Sequence, residues 1–376
     1  MLQLPPILNK VFRSLIFTLI AFVINAIGLV FLILKLVSLP FVPDRNIDNM
    51  SDYYTTVWER VQGNSVDEGR FQVVDLSDND RRDIVEILSI ISGMNPKVIG
   101  FDINCIYKDS SIVDSLLVEL LRSNQNIVLP VEYTENKFLY SVFYEELKDK
   151  EYGVVSFPGT KGILRTFYPS FTSGDKFHRS FACAVAEMYG ADISRVYRKN
   201  KHLINFTTLR LTDADAIPGN QFLNLNERDS SSLASEISNR IVLLGTSRLT
   251  IDNHMTPLGY NLSGVMIHAH IINALIDGKT IRTVNPLVTY FICFIMSFVL
   301  MMIKRNDRSR TNVKIVWKYK IVWALLTFLC SILAFSLIGT IIYCKCNLFI
   351  DFAPYIVVVV IWYILKDKEF NVNLRK

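Results

Sequence analysis

Residues 71–101, FQVVDLSDNDRRDIVEILSIISGMNPKVIGF, change their hydrophobic period twice within one short stretch. Phe71-Gln-Val-Val-Asp75 is apolar and β-branched and predicts a short buried strand. From Asp80 to Ser92 the residues Ile84, Val85, Ile87, Leu88 and Ile91 recur at helical spacing, and Gly93 with Asn95-Pro96 ends the helix. Lys97-Val-Ile-Gly-Phe101 predicts a second strand. The alternation continues with a helix over Ser111 to Ser123 and a strand over Asn126-Ile-Val-Leu-Pro130. It returns later with a strand over Arg240-Ile-Val-Leu-Leu-Gly245 and a helix over Gly264 to Leu275, ending near Gly278. Strands alternating with helices imply a parallel sheet covered on both faces. The part between is less regular: Gly153 to Phe157 and Leu203 to Phe206 read as strands, and Arg179 to Tyr189 as a helix. Pro40 to Asn64, rich in Pro, Asp and Asn, reads as irregular chain.

Outside this block the chain is oily. Of its 376 residues 51% are hydrophobic. The mean hydropathy of +0.29 is high for a soluble protein and low for one made only of membrane helices. A membrane helix needs about 20 apolar residues. Stretches at about 15–34, 287–303, 321–343 and 348–365 meet that need. The first reads as an uncleaved anchor, because its apolar run is long and no small-residue cleavage site follows. Lys10 and Arg13 precede it. Lys304, Arg305, Arg308, Arg310, Lys314, Lys318 and Lys320 lie between the second and third stretches, and Lys366, Lys368, Arg375 and Lys376 follow the fourth. Cationic flanks stay on the cytoplasmic side. Residues 1–14, 304–320 and 366–376 are therefore expected inside, and 35–285 outside, as one large domain. The helix that ends near Gly278 stops a few residues before the second span, close enough to pass a movement of the domain to the membrane.

The net charge of +5 gathers at these flanks and gives no case for nucleic-acid binding. Asn25 is expected to hydrogen-bond between helices, and Lys345 and Asp351 to sit at the outer boundary. No charge falls mid-span, so an ion pathway has no support. Six cysteines do not make a disulfide scaffold in this length, and Cys105 and Cys183 read as buried thiols.

Several segments together resemble the type-two CHASE domain, a sensory extracellular module associated with cyclases and histidine kinases. They are Val74-Asp-Leu-Ser-Asp78, Val98-Ile-Gly-Phe-Asp102-Ile, Gly162-Ile-Leu-Arg165, Ile204-Asn-Phe206 and Ile241-Val-Leu-Leu-Gly-Thr246. The closing stretch is the most specific: Asp252-Asn-His254-Met-Thr-Pro-Leu-Gly259, then Ser263-Gly-Val-Met-Ile-His268-Ala269. The likeness covers roughly residues 45 to 285. It implies an α/β extracytoplasmic sensor domain, with a mixed, largely parallel sheet and flanking helices, plus four transmembrane α-helices, one before the domain and three after it. With the topology it implies a bacterial cytoplasmic membrane and a domain in the periplasm or exterior. Members often continue into a cytoplasmic output domain; here only Lys366 to Lys376 follow the last span, so signalling is expected to act through another protein chain. Dimerisation is common in sensors of this architecture, which admits a homodimer.

Asp75 and Asp102 end predicted parallel strands, where open sheets form their binding crevice. Thr246 follows another strand, and Asp252, His254 and His268 come from the segment after it. Carboxylates and imidazoles there suit a divalent cation or a polar ligand. Asp78 belongs to the first motif, and Arg165 suits an anionic ligand or Asp102. Asp102, Asp252 and His254 are candidate metal ligands, Asp75 joins Asp102 and His254 in the hydrolase alternative below, and Asp252-x-His254 and His268-x-His270 are weak metal signatures. The structural alternative is that the aspartates cap the following turns and the histidines make hydrogen bonds. His268 and His270, in one helix, are expected to point apart. No nucleophile motif and no cofactor motif is present, so an enzyme is not expected. A sensor therefore stands against two alternatives: a membrane scaffold that recruits partners, and an outward-facing metal-dependent hydrolase.

Overall fold

The computed structural model describes residues 2–3, 6–26, 50–62, 69–158, 162–248, 252–302, 313–365 and 373–374. The chain divides into two compact units, Glu59–Ile281 and the pair Met1–Trp58 with Arg282–Lys376.

Within the first unit the elements are numbered in chain order. Strand β1 (Phe71–Asp75) leads to helix α1 (Arg81–Gly93), β2 (Val98–Phe101) to α2 (Ser111–Ser123), and β3 (Ile127–Thr134) turns into the short β4 (Lys137–Leu139). Then come β5 (Glu151–Val154), β6 (Thr166–Phe167), β7 (Ser170–Ser173), β8 (Lys176–Ser180) and α3 (Phe181–Tyr189). β9 (His202–Leu203), β10 (Ile217–Pro218), α4 (Gly219–Ile237), β11 (Ile241–Gly245), β12 (Asn253–Met255), β13 (Asn261–Ser263) and α5 (Gly264–Ile276) follow, and a four-residue helix, Tyr144–Leu147, precedes β5.

The main sheet has nine strands in the order β10-β1-β11-β2-β3-β5-β8-β7, with β4 paired to β3. From β10 to β8 every pairing is parallel; β7 and β4 add antiparallel edges. The registers Ile241↔Phe71 and Ile241↔Val98 place β11 between β1 and β2. The three strands read as near-continuous apolar runs because both of their faces are covered. One face packs against α1, α2 and α4 through Ile87, Leu88, Leu117, Phe222 and Ile237. The other packs against α3 and α5 through Phe181, Val185, Val265, Ile267 and Ile271. The mixed, largely parallel α/β sheet is thus present as the sequence implies.

Local chemistry accounts for the boundaries. Asp80 caps α1, accepting from Arg82 N at 2.8 Å and Asp83 N at 3.0 Å, while Asp83 accepts from Asp80 N at 3.3 Å. This reciprocal box satisfies N–H groups that a helix start leaves without partners. At the far end Asn95 takes a left-handed φ of 55°, which Asn tolerates better than most residues.

Several sequence expectations need correction. β5 covers Glu151–Val154 rather than reaching Phe157, and α3 begins at Phe181 because Arg179 and Ser180 belong to β8. A side chain at Gly153 would collide with the Phe181 backbone, so the helix starts where it lies on the strand. The strand expected over Leu203–Phe206 shrinks to His202–Leu203; Asn205 folds its side chain back onto Thr207 N at 3.1 Å and makes a turn. α4 was not foreseen. It is rich in Asn and Ser, buries only Gly219, Phe222, Leu233 and Ile237, and is interrupted at Asp229 (φ −153°, ψ 75°), so its apolar period is too sparse to read. Helix Met50–Gln62 replaces irregular chain. There Tyr54 packs on Tyr343 and Phe349, and Thr55 Oγ1 meets Tyr343 Oη at 3.2 Å, so tertiary contact overrides weak local preference.

The second unit also holds helices Pro6–Ala26, Pro286–Met302, Val313–Cys346 and Ala353–Leu365. Arg282–Thr283 pairs in parallel with Leu348–Phe349, and Asp351 accepts from Ala353 N at 3.0 Å at the start of the last helix. Among the described residues one stretch, Leu329–Cys346, is long and apolar enough to cross a membrane by length and composition; Pro286–Leu300 is a shorter apolar helix. Lys345 is exposed. The second half of the expected first span, the side chain of Asn25, Lys304 to Arg310 and most of the tail lie outside the described residues. The described cysteines are free, with Cys105 and Cys183 buried.

Candidate functional site

The parallel strands present all their carboxyl ends on one edge. β1 and β2 lead to helices on one face, whereas β11, between them, leads by way of the β12–β13 hairpin to α5 on the other. Neighbouring strands that send the chain to opposite faces leave a crevice at their carboxyl ends. Gly245 closes β11, and a side chain there would meet Val265 Cβ at 2.9 Å and Asp102 Cβ at 3.5 Å. The missing side chain thus brings the start of α5 down onto the end of the sheet.

Asp75 is buried at the end of β1. Its Oδ1 accepts from Ser77 N at 3.1 Å, Ser77 Oγ at 2.5 Å and Ser247 N at 2.8 Å. Its Oδ2 lies 3.2 Å from Arg248 Nε. The Ser77 hydroxyl accepts in turn from the N–H groups of Ser247 at 3.2 Å and Arg248 at 3.1 Å. Charge-assisted bonds of this kind are among the stronger ones, and together they clasp the end of β1 to the end of β11. Asp78 is exposed and meets Arg248 Nη1 at 3.2 Å. Thr246, between Gly245 and Ser247 in the chain, is half-buried.

Asp102 sits at the equivalent place on β2 and is treated differently. Its N–H donates to Leu244 O at 2.7 Å, but its half-buried carboxyl has no hydrogen-bond donor among the described residues. Burial, together with the neighbouring carboxylates of Asp252 and Glu132, pushes its pKa well above the usual carboxylate range. Glu132 extends β3 past the point where the sequence pattern stops, and its Oε1 accepts from Asn104 Nδ2 at 3.1 Å. The Asn104 Oδ1 is buried without a partner. Asp252 Oδ2 accepts from Gly264 N, the first residue of α5, at 3.1 Å, and a side chain at Gly264 would strike this carboxylate. Asp213, from the 3₁₀ turn before β10, accepts from Ser263 Oγ at 2.5 Å. Burial raises its pKa, with Ser263 opposing and Asp75 and Asp252 adding to the rise.

The imidazoles divide as expected. His254 Nε2 stands 3.6 Å from Asp252 Oδ1. His268 is buried against Phe157 and Phe181, with ring centroids 4.7 Å and 5.1 Å away, and its Nε2 lies 3.2 Å from Val155 O. Its Nδ1 is buried without a partner. Burial lowers the pKa of His268 to about 4. His270 points elsewhere, with Nε2 3.1 Å from Leu211 O, and burial lowers it to about 4 as well. Both rings are therefore neutral at neutral pH. Arg165 donates Nη1 to Ile163 O at 3.2 Å within its own turn. Among the described residues no group of three or more His, Cys, Asp or Glu has the arrangement to hold a metal ion.

Asp102, Asp252 and His254 thus stand at one crevice, with His268 behind them, while Asp75 is engaged in the clasp beside it and Asp78 meets Arg248 on the exposed side of that clasp. Sequence reasoning missed Glu132, Asn104 and Asp213. The signal for Glu132 was a charged residue inside an apolar strand, and for Asp213 the capping box Thr212-x-x-Asp215 around it.

The model of one protein family, the CHASE2 domain, matches residues 64–303. The chain belongs to the CHASE2 domain family. CHASE2 domains form an extracytoplasmic sensory family, not an enzyme family, and the strands and helices from β1 to α5 fall within the matched residues. The CHASE2 match runs on through helix Pro286–Met302. No curated protein and no solved structure matches the chain.

Proposed function

We propose that this CHASE2 chain is a membrane-anchored signal-input protein. In this reading four apolar helices hold it in the bacterial cytoplasmic membrane with the α/β domain in the periplasm or exterior. The domain binds a ligand or envelope partner in the Asp102 crevice, and a separate chain carries the cytoplasmic output. The cationic flanks around the apolar segments support the orientation. The crevice reading rests on Asp102, a carboxyl without a donor beside the carboxylates of Asp252 and Glu132. Such a group is costly to ionise where it stands. A cationic or donor-rich ligand removes that cost and so favours the domain arrangement in which the carboxylates converge. The ligand shifts the balance by its difference in affinity for the two arrangements.

Thermal melts of the full-length protein in detergent test the reading, with calcium, magnesium and the polyamine spermidine as probes. Stabilisation by one of them that disappears in Asp102→Asn is the expected result. Equal stabilisation of the two proteins, or none by any probe, counts against the crevice. Cysteine labelling in intact cells tests the orientation separately: a cysteine at Asn136 is expected to react with an impermeant maleimide. Labelling only after the cells are opened would reverse the topology.

The scaffold reading draws on one surface. Ile106 and Tyr107, after β2, and Ile112 and Leu116, on α2, are exposed by 69%, 66%, 71% and 47%. Ile112 and Leu116 are one helical turn apart on the same face. Exposed large apolar side chains of this kind suit an envelope protein partner. Cross-linking from position 112 in cells would show a specific partner if this reading holds.

A further inference from the structure

We propose that the groove at the carboxyl ends of β10 and β1 is a second binding site, for a neutral saccharide, distinct from the Asp102 crevice. The groove holds about 410 Å³, within the range of about 300–1,000 Å³ usual for small-molecule sites. Asp75, Asp78 and Arg248 line one side and the first turns of α4 the other. Gln221, Asn224 and Arg228 are spaced three and four residues apart, so they share one face of α4, and all three line the groove. Their side chains make no hydrogen bond among the described residues. Opposite them Arg248 joins Asp75 at 3.2 Å and Asp78 at 3.2 Å, which holds a guanidinium and two carboxylates together.

The chemistry of this lining selects a class of ligand. The carboxylates of Asp75 and Asp78 balance the guanidiniums of Arg228 and Arg248, so the groove offers a bare ion of either sign little net attraction. Apolar side chains are few, with Pro218 and Leu225 the main ones, which disfavours an oily ligand. Instead donors and acceptors stand side by side: amide N–H₂ and C=O from Gln221 and Asn224, guanidinium N–H from Arg228, and carboxylate oxygen from Asp78. A hydroxyl both donates and accepts, and neighbouring hydroxyls on a sugar ring need such mixed partners. The groove faces water from the same edge of the sheet as the crevice, so both sites meet the same compartment.

Isothermal titration of the full-length protein in detergent tests this, with glucose, N-acetylglucosamine and the N-acetylglucosamine tetramer as probes and inorganic phosphate as the contrasting ion. At least one saccharide is expected to bind, with at least tenfold weaker binding in Asn224→Ala and in Arg228→Ala. Both positions are exposed, so the fold is kept, which a melting curve checks. Asp102→Asn is expected to leave saccharide binding unchanged, so a failure of the crevice reading does not touch this one. The proposal is overturned if none of the three saccharides binds or if binding is the same in the α4 variants. It is also overturned if phosphate binds as tightly and loses affinity in Arg228→Ala, which would make the groove an ion site.

Discussion

Asp75 and Asp102 end adjacent-but-one strands of the same parallel sheet, separated only by β11, yet they meet opposite surroundings. Asp75 is wrapped by donors from Ser77, Ser247 and Arg248. Asp102 faces Asp252 and Glu132 and has no donor among the described residues. The same residue type at the same topological position therefore does two jobs. One closes the sheet edge, and the other leaves a demand that something outside the chain can meet. Position at the carboxyl edge makes a residue a candidate; the partners around it decide whether it is already spent.

The largest effect expected from this contrast is on Asp75. Asp75→Ala removes the acceptor of several bonds at once. Bonds to a charged group contribute about 1.5–3 kcal/mol each and do not add simply, so a loss of about 3 kcal/mol or more is expected in the urea unfolding of the full-length protein. A change under 1 kcal/mol would remove the structural half of the contrast.

Acid comes next. Burial holds His268 and His270 at about 4, against about 6.5 in an unfolded chain. The folded values are lowered, so the unfolded chain binds more protons between these two limits. Stability is complete above about pH 6.5 and falls as the pH drops toward 4, by on the order of 3 kcal/mol for each ring. Asp102 runs the other way. Its folded pKa is raised, so its contribution is fully present below its unfolded value of about 3.9 and is lost as the pH rises through the folded one. Asp102→Asn should therefore make the acid limb steeper, and melting curves from pH 4 to 8 would show it. An unchanged limb would mean that Asp102 is ionised without cost.

The third effect is smaller and opposite in sign to that of Asp75. At pH 8 Asp102→Asn should stabilise the protein by about 1 kcal/mol, because an unpartnered charge in a half-buried site is removed. Destabilisation would place Asp102 beside Asp75 as a structural residue. The least effect belongs to Asp78→Ala. Asp78 and Arg248 are exposed by 68% and 54%, and exposed pairs are worth about 0–1 kcal/mol, so a change within about 0.5 kcal/mol is expected. A larger loss would extend the clasp to the surface.

Much of the fold was legible because local pattern and tertiary role agree. β1, α1, β2 and α2 carry unbroken apolar runs or helical periods, with caps at Asp80 and a stop at Asn95, and α2 covers Ser111–Ser123 as read. α4 was hidden because few of its residues meet the core, and helix Met50–Gln62 because its stability comes from contacts distant in sequence. The hairpin of β7 and β8 was lost in the same way, since its alternating polar residues lie at a sheet edge.

The candidate site divides along the same line. Asp102, Asp252 and His254 were legible as candidates because each sits beside a strand end or in the closing motif. Glu132 and Asp213 reach the same edge from strands and turns that the pattern left short, and the charge of Glu132 bears on Asp102, as those of Asp75 and Asp252 bear on Asp213, only through space.

By itself the sequence determined the alternation of strand and helix, the buried strands of the parallel sheet and the oily segments with their cationic flanks. All of these follow from the side chains of neighbouring residues and the solvent they seek. Only the tertiary structure decided that β11 inserts between β1 and β2, and with it which aspartate is satisfied and which is left in want of a partner. That insertion joins residues about 170 positions apart, and hydrogen bonding and electrostatic repulsion depend on the distances it creates, which no local pattern encodes.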